Sequence, residues 1–383
     1  MSAGRAIEIG IGASEDATTT FARDQLMLLR CSQDAVARAR VWRRRESGLL
    51  LGRFHRADPA SRERTAGGRS GANAAATIGD SGVAHESVDA ERGGLSRRLS
   101  GGRIVPVGPG VVCVTMAVPV VDWLDNAGGA LRPDQVLNRA LRPLLAMLRS
   151  RGVDAFYPGR DLVTVGGRTL AHASFTVMRD GVVVVEMHVA ESPAFADLAM
   201  LLDRFDPSAA AGVDRGALDG STSLAETATP AQGDEEWAAQ FAACAAKAFA
   251  CEASVAAEAS VGGPAGVEGE GGEAGVTLAH ASAARDFLLS PGPLEEGTLT
   301  AASVSMLGVV ECSARLRGDR LSGLRVTGDL IAPFHTLDDV ASECEGEPFR
   351  PANVRKALAR AMARPRSFVL GLRELDELIL KIA

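Results

Sequence analysis

Apolar side chains recur every three or four residues in several parts of the chain, a spacing that predicts amphipathic helices. Residues 133–151 show it most clearly, with six apolar positions on one face: Val136, Leu137, Leu141, Leu144, Leu145 and Leu148. The same spacing predicts helices over residues 21–44, 195–205, 235–258, 337–345 and 351–363. Each helix is expected to bury its apolar face against the rest of the fold.

Shorter apolar runs bounded by glycine, proline or polar residues predict β-strands. They cover residues 48–52, 104–108, 111–118, 161–165, 168–177, 182–189, 298–317 and 321–329. Gly166-Gly167 joins two of these runs as a hairpin signal, and Gly318-Asp319 joins two others. The last hundred residues, with strands followed by helices, are therefore expected to form a small α+β module.

Three segments are rich in glycine, alanine and small polar residues and show no regular spacing of apolar side chains. They lie at about residues 59–95, 208–234 and 259–275, and we expect them to be surface insertions. This distribution predicts a large domain over residues 1–290, which contains the insertions, and a small C-terminal domain over residues 297–383.

Composition and charge narrow the classes of function. The 383 residues are 46% hydrophobic and 23% charged, as in soluble globular proteins, and a net charge of −7 without a long basic block argues against nucleic-acid binding. No apolar run is long enough to span a membrane, and the N-terminus lacks the pattern of a signal peptide. We expect a cytoplasmic monomer with no membrane partner, whose six cysteines are reduced.

One loop carries the pattern of a phosphate-binding site. Arg97 and Arg98 stand just before Ser100, Gly101 and Gly102. Adjacent glycines let backbone amides approach a phosphate closely, and arginine supplies forked donors to its oxygens. On local grounds alone the pattern is weak, because most turns of this kind only connect strands.

The loop and several other segments, in a fixed order along the chain, give a family resemblance. Residues 97–103 resemble the Arg-Arg-x-Ser-Gly-Gly-Gly signature of the lipoate–protein ligase A family, which shares its fold with biotin protein ligases. The family's Val-x-Gly-Arg and Asp-Ile-x-Val-x-Gly-Arg motifs, and three motifs of its accessory domain, are similar to the following segments: 51–53, 161–168, 308–311, 328–330 and 337–346. The resemblance implies an α+β fold, with a biotin/lipoate ligase-type catalytic domain and a small α+β C-terminal accessory domain.

The resemblance also implies a reaction. The family uses ATP and Mg²⁺ to join lipoate to AMP, and then passes the acyl group to a lysine of a lipoyl carrier domain. Such carriers include the E2 subunits of 2-oxoacid dehydrogenases and the glycine-cleavage carrier protein. Lipoate, ATP and Mg²⁺ are thus the implied cofactors, and lipoyl carrier domains are the implied partners.

Residues that match the family's motifs take its binding roles by implication. The substrate- and nucleotide-binding set consists of Arg53, Arg97, Arg98, Ser100, Gly101, Gly102, Asp161 and Arg168. Within it, Asp161 stands where the family has an acidic residue near the nucleotide and Mg²⁺. From its sequence position alone, Asp161 is equally well interpreted as a solvated carboxylate at the end of a strand.

Three positions depart from the family's pattern: Thr169, Arg103 and Val107, which stands where the family's loop has a histidine. The family's hairpin has a lysine that contacts the acyl carbonyl and the phosphate, and this chain has Thr169 there. Its three lysines are Lys247, Lys356 and Lys381, so no ammonium side chain precedes position 247. Loss of one preorganised donor typically costs a factor of about 10²–10³ in rate. The family's third glycine is Arg103, whose guanidinium is a candidate substitute for the missing charge.

Three functions therefore remain open. They are an ATP-dependent lipoate–protein ligase, a non-catalytic protein that binds acyl-adenylate or a carrier domain, and a cysteine-dependent octanoyl or lipoyl transferase. The resemblance makes the ligase the leading prediction, and the missing lysine favours the second function as its alternative. The third needs a thiolate beside a cation, whereas Cys113 lies in a strand that we expect to be buried. The six histidines show no metal-binding spacing.

Overall fold

The computed structural model describes residues 5–15, 17–55, 95–119, 133–198, 200–201, 220–227, 232–257, 297–305, 307–372 and 374–382. Most of the insertions predicted at 59–95, 208–234 and 259–275 lie outside these residues. Within the described ranges, no helix is long and apolar enough to cross a membrane.

Strands and helices are interspersed along the chain. The strands are β1 (Ala6–Glu15), β2 (Ala37–Arg44), β3 (Gly48–Leu51), β4 (Leu95–Arg97), β5 (Val105–Val107), β6 (Val111–Pro119), β7 (Ala155–Phe156), β8 (Leu162–Val165), β9 (Arg168–Val177), β10 (Val182–Ala190), β11 (Glu252–Ala257), β12 (Leu299–Ser305), β13 (Gly308–Arg317) and β14 (Arg320–Gly328). The helices are α1 (Ala17–Asp34), α2 (Pro133–Ala140), α3 (Arg142–Ser150), α4 (Asp234–Phe249), α5 (Thr336–Cys344), α6 (Pro351–Met362) and α7 (Leu375–Leu380). Short 3-10 helices occupy Ala194–Asp197 and Ala225–Thr227.

Eight strands form one large mixed sheet in the order β11-β1-β2-β6-β10-β9-β8-β7. β1 runs parallel to β11 and β2, and the other neighbours are antiparallel. β3 lies between β4 and β5 in a second sheet, and β12–β14 form a third, antiparallel one. A large mixed sheet with a small C-terminal antiparallel sheet and helices confirms the predicted α+β fold class.

The two faces of the large sheet are covered by different elements, because alternate residues of a strand point to opposite sides. On one face, the core with α2–α4 contains Val183, Val185, Met187 and Val189 of β10. The alternate residues of β10, on the face covered by α1 and the β3–β5 sheet, are Val182, Val184, Glu186, His188 and Ala190. The candidate site lies on this second face.

Residues 297–382, which we call the C-terminal segment, have a core of their own between β12–β14 and helices α5–α7. Phe54, from the end of β3, is buried in that core, whereas Leu307 and Ile331 of the segment are buried in the core of the large sheet. Each part thus buries side chains in the hydrophobic core of the other. The domain limits 1–290 and 297–383 stay predictions.

The helix predicted over residues 21–44 is wrong in its second half, because α1 ends at Asp34 and β2 follows. Ala35 has a left-handed φ of 57°, and the Asp34 carboxylate accepts a hydrogen bond from the Val36 amide at 2.9 Å. Both features end a helix. Charged and apolar residues alternate in β2, which is the period of a strand.

The helix predicted over residues 235–258 also ends early. α4 ends at Phe249, Ala250 has a φ of 50°, and β11 then pairs with β1 at the edge of the large sheet. Neither β11 nor β1 was predicted from the sequence. Alanine-rich segments favour helix by local propensity, and pairing with a strand some 240 residues away leaves no local signal.

Three other predicted elements differ in detail. Leu141 divides the helix at 133–151 into α2 and α3, and Gly308, with a φ of 132°, opens β13 after a turn that divides the strand at 298–317. The helix at 195–205 begins as a 3-10 turn, and residues 202–205 lie outside the described part.

Candidate functional site

The arginine–glycine loop, residues 97–103, lies over the second face of the large sheet. Its Ser100 amide donates to Oε2 of Glu186 at 2.7 Å, and the Ser100 hydroxyl lies 2.5 Å from the hydroxyl of Ser174. Burial raises the pKa of Glu186, and the nearby Arg98 guanidinium opposes that rise. Buried polar contacts to β9 and β10 therefore fix the centre of the loop.

The two arginines that open the loop bind backbone carbonyl oxygens of the loop, of β3 and of the segment that follows β3. Nη1 of Arg97 donates to the carbonyl oxygens of Gly52 at 3.1 Å and Arg53 at 2.7 Å, and also to that of His55. Nη2 of Arg98 donates to the Gly101 carbonyl at 2.6 Å and the Arg103 carbonyl at 2.7 Å, while its Nη1 donates to Leu50 at 3.3 Å. Both arginine residues are 4% exposed. Their predicted contact with phosphate stays a prediction, and the described structure uses them to hold the loop.

The glycines of the loop permit close approach of the C-terminal segment. The Gly102 amide, at a φ of 87°, donates to the Leu330 carbonyl oxygen at 2.6 Å. A Cβ at Gly101 would lie 2.1 Å from the same oxygen, and a Cβ at Gly52 would lie 2.1 Å from the Gly102 carbonyl oxygen. No side chain fits in these spaces. The amide predicted to meet a phosphate is therefore covered by protein.

Arg53 and His55 extend this covered region. The Arg53 guanidinium lies over the Phe334 ring at 3.3 Å from its centroid, and burial lowers the pKa of Arg53 to about 10. Nε2 of His55 lies 3.0 Å from Oδ1 of Asp329 and 3.2 Å from the Gly102 carbonyl oxygen. Phe334 and Asp329 of the C-terminal segment thus contact the residues that follow β3, beside the loop.

Arg103 and Asp161 form a two-point ion pair. Nε of Arg103 donates to Oδ2 of Asp161 at 2.5 Å, and its Nη2 donates to Oδ1 at 3.0 Å. The Asp161 side chain is only 2% exposed and the Arg103 side chain 23%. Asp161 is therefore a buried carboxylate that pairs with the loop, and the solvated strand-end interpretation is wrong.

Arg168 and Thr169, at the start of β9, contact a different segment. The Thr169 amide donates to the Gly220 carbonyl at 2.6 Å, and its own carbonyl accepts the Thr222 amide at 2.8 Å. Nη1 of Arg168 donates to Glu226 at 2.8 Å on the surface. The Ala173 amide, four residues further along β9, donates to the Asp161 carbonyl. Thr169 therefore lies about 13 Å of strand away from the level of Asp161.

The row that Cys113 forms with two histidines under the loop was not predicted from the sequence. His172 and His188 are directly paired across β9 and β10, and Cys113 of β6 is opposite His188 on its other side. Burial, with Arg98 nearby, lowers the pKa of His188 to about 3, so its ring is neutral at pH 7. A signal was available: Glu186 and His188 stand two apart in an otherwise apolar strand, which places them on one face.

The described arrangement does not fit ATP and Mg²⁺ in the roles that the resemblance implies. The Gly102 amide is bonded to Leu330, and both Asp161 oxygens are bonded to Arg103. Among the described residues, no group of three or more His, Cys, Asp or Glu side chains is arranged to hold a metal ion. A nucleotide would have to displace protein groups from each of these partners.

Cysteine chemistry has no support at this site. All six cysteines lie in described residues and are free thiols, and Cys113 is buried as expected. Burial raises the pKa of the Cys113 thiol well above its usual range, so the nucleophilic thiolate is not formed at neutral pH.

Comparisons with known proteins bear on the fold. No protein-family model and no curated protein matches the sequence. LipL1 of P. falciparum, crystallised with lipoate, matches with a TM-score of 0.60 at 10% identity over 92% of this chain and 94% of LipL1. The bipartite lipoate protein ligase of Thermoplasma acidophilum, described with its E2 lipoyl domain, matches at 0.50 and 12% identity over 76% of this chain and 98% of its own. At such identities the likeness concerns the fold. The chain has the fold of the lipoate–protein ligases.

Proposed function

We propose that this protein binds a lipoyl-type acyl group, as its adenylate or on a lipoyl carrier domain, and does not itself activate lipoate with ATP. The fold shared with LipL1, whose crystal contains lipoate, supports the acyl ligand. The Arg103–Asp161 pair carries the second half of the proposal, because it occupies the one carboxylate that the resemblance assigns to Mg²⁺.

The energetics favour acyl binding without activation of lipoate by ATP. An ion bound at Asp161 would have to replace a two-point charged contact inside the protein, and breaking a buried pair costs several kcal/mol. A phosphate at Gly102 would also have to displace the Leu330 carbonyl oxygen. Thr169 has no charge to replace that of the family's lysine, so it does not offset the free-energy cost of this rearrangement.

An ATP-dependent lipoate–protein ligase is the second candidate, and one observation favours it. Arg103 stands in the loop at the family's third glycine, and its side chain is 23% exposed. A guanidinium with some solvent access beside the loop is able to meet an incoming anion if Asp161 releases it. Such a ligase would act on carriers such as E2 lipoyl domains.

The test combines the full chain with lipoate, Mg-ATP and a purified lipoyl carrier domain, and weighs the carrier by mass spectrometry. We expect no mass gain, together with saturable binding of lipoyl-AMP or of the carrier by calorimetry. An ATP-dependent gain of one lipoyl group would establish the ligase instead, and Arg103→Ala should then abolish it. If neither a mass gain nor binding is observed, lipoyl recognition is excluded altogether.

A parallel reaction tests the cysteine-dependent transferase. It omits ATP, supplies a lipoylated donor carrier and compares the protein before and after thiol alkylation. Because Cys113 is buried with a raised pKa, we expect no transfer in either sample. Transfer that alkylation removes would contradict this.

A further inference from the structure

A polar pocket lies between the turn that joins β9 to β10 and the C-terminal segment, away from the candidate site. It has a volume of about 470 Å³, within the range of small-molecule sites. Its lining residues are Arg179, His335, Asp339, Arg364, Pro365 and Arg366, and we call it the basic pocket. None of them belongs to the arginine–glycine loop.

The charges in the basic pocket are unbalanced. Arg364 donates to the carboxylates of Asp339 and, at 2.7 Å, Glu343, so its charge is balanced by these ion pairs. In the described part of the chain, neither Arg179 nor Arg366 has a carboxylate within ion-pair distance. The buried Nδ1 of His335 has no hydrogen-bond partner there either. The pocket is therefore lined by two arginines whose charges have no carboxylate partner among the described residues.

The backbone bears strain that holds Arg366 at this pocket. The Ser367 amide donates to the Arg364 carbonyl at 3.2 Å, closing a turn in which Pro365 is second and Arg366 third, with a φ of 65°. Glycine is preferred at the third position of such a turn, because a side chain is strained there. Strained residues of this kind cluster at ligand-binding sites.

Gly181 leaves space for the Arg366 side chain. Gly181 follows the turn after β9, at a φ of 100°, and a Cβ there would lie 2.7–2.9 Å from the Arg366 guanidinium. The chain thus has arginine where glycine would be unstrained, and glycine where a side chain would push the arginine away. Both choices keep the guanidinium beside the pocket.

We propose that the basic pocket binds a phosphate group, free or as a phosphomonoester. A phosphate carries nearly two negative charges at pH 7, which matches the two uncompensated guanidinium groups, and their forked donors fit its oxygens. Asp339 also lines the pocket, but Arg364 holds its carboxylate. Because Arg179 belongs to the large-sheet part and Arg366 to the C-terminal segment, the bound group links the two.

The test titrates inorganic phosphate, and separately glycerol phosphate, into the full chain at constant ionic strength, and follows the melting temperature and the heat of binding. The variants are Arg179→Gln and Arg366→Gly, with Arg325→Gln, at an exposed position of β14, as the matched control. We expect saturable binding that either variant weakens at least tenfold and the control leaves unchanged. Arg366→Gly should also keep or raise the melting temperature without phosphate, because glycine relieves the strained φ.

Phosphate stabilises many proteins by exclusion from their surface, so the control decides the interpretation. A rise of equal size in all four proteins, or one that never saturates, overturns the proposal. Binding of inorganic phosphate alone identifies the free ion as the ligand, and tighter binding of glycerol phosphate identifies a phosphomonoester. Binding that Arg103→Ala removes but Arg179→Gln does not would assign the phosphate to the arginine–glycine loop and also overturn it.

Discussion

Replacing Arg103 by alanine removes the guanidinium to which both oxygens of Asp161 are bonded, at 2.5 and 3.0 Å. The Asp161 side chain is 2% exposed, so its charge would remain in a poorly hydrated place. Breaking a buried ion pair from one side costs about 3–5 kcal/mol. The lower limit applies here, because the vacated space beside the partly exposed Arg103 admits some water. We therefore expect Arg103→Ala to lower the free energy of unfolding by about 3 kcal/mol.

Urea unfolding followed by circular dichroism measures this change, and Arg168→Ala is the matched control. Arg168 also pairs with a carboxylate, that of Glu226 at 2.8 Å, but both side chains are well exposed, at 49% and 36%. Solvent screens such a pair, so the control should scarcely move the urea midpoint.

A double variant isolates the pair itself. Adding Asp161→Asn to Arg103→Ala removes the stranded charge, so the double variant should be more stable than Arg103→Ala alone. If Arg103→Ala moves the midpoint no further than Arg168→Ala does, Asp161 is solvated. Asp161 would then be available to Mg²⁺.

Three further changes test other parts of the structure. Gly101→Ala should cost about 2–3 kcal/mol, since the new Cβ would meet a backbone oxygen of the C-terminal segment at 2.1 Å, whereas Gly233→Ala, with open space around it, should cost about 1 kcal/mol or less, as the loss of a favourable helix N-cap, in the same melting experiment. Arg40→Met leaves the buried Asp24 carboxylate without its cation, while Glu15 keeps its pair with Arg23, and should cost about 3 kcal/mol in urea; an unchanged midpoint would mean that water reaches Asp24. The pKa of His188 is about 3 in the folded protein, below its ordinary value of 6.5. The stabilising contribution of the neutral ring to the free energy of unfolding is therefore full above pH 6.5 and is lost as the pH falls. From pH 7 to 5 the loss is about 2 kcal/mol, and His188→Gln should flatten the dependence of stability on pH by that amount.

Elements with local signals could be predicted from the sequence. Gly166 and Gly167 both adopt positive φ, at 57° and 81°, in the hairpin of β8 and β9 that the glycine pair predicted. β10, α5 and α6 likewise lie close to their predicted positions. In each case the pattern of apolar residues and the turn chemistry agree, so no distant contact is needed to choose the structure.

Elements that depend on distant pairing could not be predicted. β11 has a composition that favours helix, and it is a strand because β1 offers an unpaired edge. The end of α1 at Ala35 is a related case, since β2 gains partners on both sides, in β1 and β6. Hydrogen bonds to two neighbouring strands outweigh a local preference that amounts to a few tenths of a kcal/mol per residue.

The candidate site shows why a motif of arginines and glycines leaves function open. A phosphate and a turn of backbone both present oxygen acceptors, so the residue types that suit one also suit the other. Arg98 reaches the carbonyl oxygens of Leu50, Gly101 and Arg103, and these acceptors come from two separate segments of the chain. Only the three-dimensional fold brings them together, and once they are together the guanidinium has little capacity left for a ligand. The same reasoning favours the basic pocket, where Arg179 and Arg366 have no such acceptors among the described residues, as the better candidate for an anion.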